Sequence, residues 1–60
     1  MNINDIVTKA DVRKEGLRCS GDFLNGEIHG KDNMRYWLRP VNDARTRFRV
    51  YLKYKIKEGN

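Results

Sequence analysis

One cysteine, one proline, one histidine and one tryptophan occur in 60 residues, and several of these scarcities exclude something. A lone Cys19 cannot form an intramolecular disulfide, which argues against a small secreted scaffold and for a reducing compartment. The opening MNINDIVTKADV lacks the basic stretch and apolar run of a signal peptide. No apolar segment approaches the roughly 20 residues that span a bilayer. The expectation is a cytoplasmic chain with no membrane association. Cys19 and His29 are the only soft metal ligands, whereas a zinc site needs about four, so no metal and no cofactor are expected. Cys19 is expected as a small buried residue and His29 as a turn residue. The glycines match neither the phosphate-binding loop nor the dinucleotide fingerprint. Nothing orients a Cys–His nucleophile pair, and Asp22 and Glu27 are separated by a turn. No catalytic residue is expected, and the chain reads as a non-enzyme.

Acidic residues are scarce in one half only. Met1 to Asn33 carry five Lys/Arg against six acids, whereas Met34 to Lys57 carry eight against Asp43 alone. The net charge of +5 therefore resides in one segment, and asymmetry of this kind suggests a polyanionic partner.

That segment is also the most regular. In TRFRVYLKYKIK, from Thr46 to Lys57, Phe48, Val50, Leu52, Tyr54 and Ile56 occupy one parity. Arg47, Arg49, Tyr51, Lys53, Lys55 and Lys57 occupy the other. A period of two predicts a strand with one face in a core and one face out. MRYWLR, from Met34 to Arg39, alternates likewise. Burying its charges would cost more than exposing one indole, so Arg35, Trp37 and Arg39 should face outward. Pro40 ends this strand, because it cannot donate to a ladder. The two strands form a basic hairpin over 34–57 within a single small domain, 1–60. Pairing Arg39 with Arg47 or Arg49 keeps both charged faces together. A strand of twelve residues would span roughly 40 Å, too long for so small a domain. A bend or a frayed end is expected, with a bulge or a protruding ribbon as alternatives.

The rest of the chain is less regular. Ile3, Ile6, Val7 and Ala10 lie at helical spacing, so 3–15 is expected as a helix closed by Gly16, with short strands as the rival reading. Over 17–33, turn residues divide short apolar pieces, and Asn25-Gly26 is the strongest hairpin signal. Gly30 to Asn33 offers a second turn.

The expected fold is α+β: an N-terminal helix packed on a three- or four-stranded antiparallel sheet. GDFLNGEIHG before two long strands is also similar in pattern to an SH3-like small barrel. The expected core holds Ile3, Ile6, Val7, Ala10, Leu17, Phe23, Ile28, Met34, Tyr36, Leu38, Phe48, Val50, Leu52 and Tyr54. A homodimer would help a core this small.

Arg and Lys neutralise phosphates, and Trp and Tyr offer planes on which bases stack. Arg35, Trp37, Arg39, Arg45, Arg47, Arg49, Tyr51, Lys53 and Lys55 are therefore the residues expected to meet DNA or RNA. The function expected is a non-enzymatic regulatory or accessory factor that binds nucleic acid. The competing readings are a solvated face whose charges prevent edge aggregation, and a small inhibitor or adaptor docking on another protein.

Overall fold

Thr8 begins the only helix among the described residues, which are 1–56 in this computed structural model. Its hydroxyl accepts the Asp11 backbone N–H at 3.1 Å, and the Asp11 carboxylate accepts the Thr8 N–H at 3.0 Å. This reciprocal box satisfies two N–H groups that the first helical turn leaves without partners. The helix, α1 (Lys9–Lys14), is followed by Gly16 at φ +79°, the left-handed position expected of it.

The helix is thus much shorter than 3–15. The β-branched run Ile6, Val7, Thr8 instead forms strand β1 (Ile6–Thr8), as the rival reading allowed. In a strand Ile6 and Val7 point to opposite faces, which breaks the helical stripe. Val7 is buried, while Ile3, Ile6 and Ala10 are exposed. Beginning at Lys9, the helix buries Val12 instead.

Four longer strands follow: β2 (Arg18–Phe23), β3 (Gly26–Lys31), β4 (Met34–Pro40) and β5 (Arg47–Lys55). Pro40 is the last residue of β4, as expected, and the predicted end of the long strand at Lys57 lies outside the described residues. The strands form one antiparallel sheet in the order β1-β5-β4-β3-β2, with β1 and β2 as its edges. The sheet is open, not the closed barrel offered as the alternative. It has five strands, more than expected, and the fold is β-rich with one short helix.

The turn joining β2 to β3 uses Leu24 and Asn25, both at positive φ (47° and 63°), one residue earlier than Asn25-Gly26. Gly26 is thereby released into β3. A Cβ there would stand 2.8 Å from Trp37 Cε2 and 2.9 Å from the Leu38 carbonyl oxygen. The glycine serves a close approach and leaves the turn to its neighbours. The second turn, with Asp32 at φ 55°, falls within the expected Gly30 to Asn33 window.

The core is small: Val7, Val12, Leu38, Phe48 and Val50, with Met1, Leu17 and Tyr36 packed against it. Leu38, Phe48 and Val50 are 0–1% exposed, and each such burial stabilises by about 1.5–3 kcal/mol. Phe23, Leu52 and Tyr54, expected inside, are exposed. So is Cys19, and His29 lies within β3 instead of a turn. No helix among the described residues is long and apolar enough to cross a membrane.

Candidate nucleic-acid interface

Residues paired across an antiparallel ladder share a face, so register decides what the basic hairpin displays. Arg39 pairs with Arg49, one of the two registers that parity allowed, and Leu38 pairs with Val50. Leu38 and Val50 point at α1 and the core, while Arg39 and Arg49 point away. Arg47, opposite Thr8, lies on the same side as Arg49, and Arg35 on the same side as Arg39.

The ladder then slips. Leu38 faces Val50 but Trp37 faces Leu52, which makes Tyr51 the extra residue of a β-bulge. Tyr51 and Leu52 both lie against Trp37, and beyond them the parity of β5 reverses. Lys53 pairs with Tyr36 and Lys55 with Met34, on the helix side. Both were expected on the arginine face, and the register removes them from it. Tyr54, opposite Arg35, and Leu52 take their places. The six-residue helix is the physical reason. Val12 packs with Phe48 and Val50 at one end of β5, and past Val50 little cover remains to hold apolar side chains inward.

Around the bulge the side chains interlock. The Trp37 indole N–H donates to the Phe23 carbonyl oxygen at 2.9 Å, and its ring lies over Gly26. Phe23 meets Trp37 edge-on at 6.2 Å between centroids, and Tyr51 is tilted against it at 5.7 Å. The Arg39 guanidinium stands 5.8 Å from the Trp37 centroid and 5.3 Å from that of Tyr51. Arg39 is thus held against two rings by cation–π attraction. Arg35 lies across Gly30, where a Cβ would meet its Cδ at 2.5 Å, and it donates to the carbonyls of Asp32 and Met34 at 2.9 and 2.8 Å.

No ion pair engages Arg35, Arg39, Arg47 or Arg49 among the described residues. The strand acids Asp22 and Glu27 pair with each other and lie, with Leu38, on the helix side. Arg39 and Arg49 therefore sit directly opposite one another on a face with no strand carboxylate, an arrangement that costs stability.

Arg45 lies elsewhere. It occupies the β4–β5 loop at φ 56°, and its Nη2 is 3.3 Å from Glu27 Oε2. That pairing separates it from the arginine face on which it was expected to act. Burial pushes the Glu27 carboxyl up, but hydrogen bonds and charge from His29 and Arg45 outweigh this and hold it below the ordinary carboxylate range.

The hairpin thus brings together Arg35, Trp37, Arg39, Arg47, Arg49 and Tyr51, and excludes Arg45, Lys53 and Lys55. Ile6, Arg18, Phe23, Leu52 and Tyr54 join this face without having been expected there, as does Ile28, expected in the core but paired with Trp37. Arg18 comes with the pairing of β2 to β3, where it stands opposite Gly30. Nothing in the spacing of 17–33 marks that register. Comparison with protein-family models, curated proteins and solved structures finds no match to this chain.

Proposed function

We propose that this chain binds single-stranded nucleic acid on the arginine face of its sheet, as a non-enzymatic regulatory or accessory protein. The observation that carries this reading is the Arg39–Arg49 pair. Two arginines stand opposite each other in the ladder, Arg39 with its guanidinium over Trp37 and Tyr51, and neither has an ion pair among the described residues to offset their repulsion. A phosphate between them supplies the missing counter-charge. Tyr51, exposed and tilted against Trp37, supplies a plane for an unpaired base. A two-stranded ribbon entering a duplex groove fits less well. β4 is flanked by β3, and β5 by β1 over Arg47–Arg49, so the arginine end of the hairpin lies inside the sheet. A cytoplasmic setting, where a lone exposed thiol stays reduced, suits this role.

Trp37 is the only tryptophan, so its fluorescence reports on this face alone. Titration with a short single strand should quench it, and a duplex of the same sequence should bind more weakly. Arg49→Ala should weaken binding to all sequences alike. Unchanged fluorescence and unchanged anisotropy with every strand would remove the proposal.

A second reading has its own observation. Ile6, Phe23 and Leu52 are 51%, 57% and 51% exposed on the same face, and apolar groups beside arginine and tryptophan are the composition of protein hot spots. A partner protein that survives high salt, together with no retention of oligonucleotides, would favour an inhibitor or adaptor.

A further inference from the structure

On the opposite side of the sheet, a groove beside α1 is lined by Cys19, Glu27 and His29 together with Lys9, Val12 and Arg13. Cys19 of β2 stands directly opposite His29 of β3, and Glu27 is two residues along β3 on the same face. A sulfur, a carboxylate oxygen and an imidazole nitrogen from the three all lie within 4.8 Å of one another. Donors around a tetrahedral zinc ion at about 2.0–2.3 Å stand roughly 3.3–3.6 Å apart. Small side-chain rotations therefore bring this set to coordination distance.

The hydrogen bonding of the three groups is incomplete in the protein alone. His29 Nε2 lies 2.9 Å from Glu27 Oε1, but His29 Nδ1 is buried and has no hydrogen-bond partner among the described residues. A buried polar atom without a partner is costly and calls for one. A thiolate and a carboxylate also cancel the charge of a divalent ion, so the loaded site is itself neutral beside Lys9 and Arg13. Thiolate with imidazole selects zinc over magnesium or calcium, which prefer all-oxygen sites.

We propose that Cys19, Glu27 and His29 form a zinc site in this groove, with water in the fourth position facing solvent. Arg45, on Glu27 Oε2, orients the carboxylate from outside, as partners beyond the ligands do in zinc sites. Loading releases the thiol proton, because the thiolate is the ligand. Counting only Cys and His in the sequence hides this set, since Glu27 shares a face of β3 with His29 and the β2–β3 pairing sets Cys19 opposite.

The test is calorimetric titration of the full chain with Zn²⁺, with Co²⁺ as the spectroscopic probe. One ion per chain is expected, with a thiolate-to-cobalt charge-transfer band, the visible bands of four-coordinate cobalt, and a higher melting temperature on adding Zn²⁺. Cys19 is exposed, so Cys19→Ser should fold, as far-ultraviolet circular dichroism will check. It should abolish the charge-transfer band and weaken Zn²⁺ binding at least about tenfold, and Glu27→Gln and His29→Ala should weaken it comparably. Absence of the band, its survival in Cys19→Ser, or one ion per two chains would each overturn the proposal. Nucleic-acid binding is read separately, because the arginine face lies across the sheet.

Discussion

At the scale of single residues, Trp37 and Gly26 act as one unit. That Trp37 faces outward was legible in MRYWLR, because its neighbours of the same parity are arginines whose burial would cost more. That it is also anchored was not, because the glycine beneath it looked like half of an Asn-Gly turn. Trp37→Ala removes the bond to the Phe23 carbonyl and the ring packing over Gly26. It should lower stability by about 1–3 kcal/mol in a urea titration. Tyr51→Ala, on an exposed side chain, should stay within about 0.5 kcal/mol yet lose about 1–3 kcal/mol of single-strand affinity. The glycines separate in the same way. Gly26→Ala meets the indole and a backbone oxygen, and overpacking of this kind costs about 1–3 kcal/mol. Gly30→Ala meets only the flexible Arg35 side chain, which can swing aside, and should cost less in the same titration. Equal losses at both sites would contradict this packing.

At the scale of elements, the two long strands were legible from their period of two, and their length raised a bulge as an alternative to the expected bend or frayed end, but its position was not legible. The alternation in TRFRVYLKYKIK runs unbroken through Tyr51, so nothing in it marks the point where pairing slips. Lys53 and Lys55 record the consequence. Lys53→Ala and Lys55→Ala should change oligonucleotide affinity less than twofold, whereas Arg49→Ala should weaken it clearly in the same anisotropy titration. The helix was legible as apolar spacing but misplaced, because the spacing does not show that Ile6 to Thr8 pair with β5. Its start rests on Thr8 and Asp11, and Thr8→Ala should cost about 1 kcal/mol in a thermal melt. The backbone N–H and side chain of Thr8 hold the Asp11 carboxyl below its ordinary value, and Glu27 is lowered as well. A carboxylate with a depressed folded pKa stabilises above its unfolded pKa, and that stability is lost as pH falls through the folded value. Melting temperature should therefore hold through neutral pH and fall below about pH 4. Asp11→Asn should flatten part of that fall.

At the scale of the whole molecule, the sheet has a helix on one side and solvent on the other. Charge asymmetry along the chain anticipated a basic surface, and it exists. It is narrower than the charge count suggested, because three of the expected cations lie off it. Arg35, Arg39, Arg47 and Arg49 remain. The most direct test of nucleic-acid binding on this face is the salt dependence of affinity for a short single strand. With Arg18, which joins them on this face, five arginines each displacing a counterion predict that log K falls with log[salt] with a slope of roughly −3.5. Arg39→Ala and Arg49→Ala should each make it shallower by about 0.7. A slope near zero, or one that the Arg39 and Arg49 substitutions leave unchanged, would contradict nucleic-acid recognition by this face.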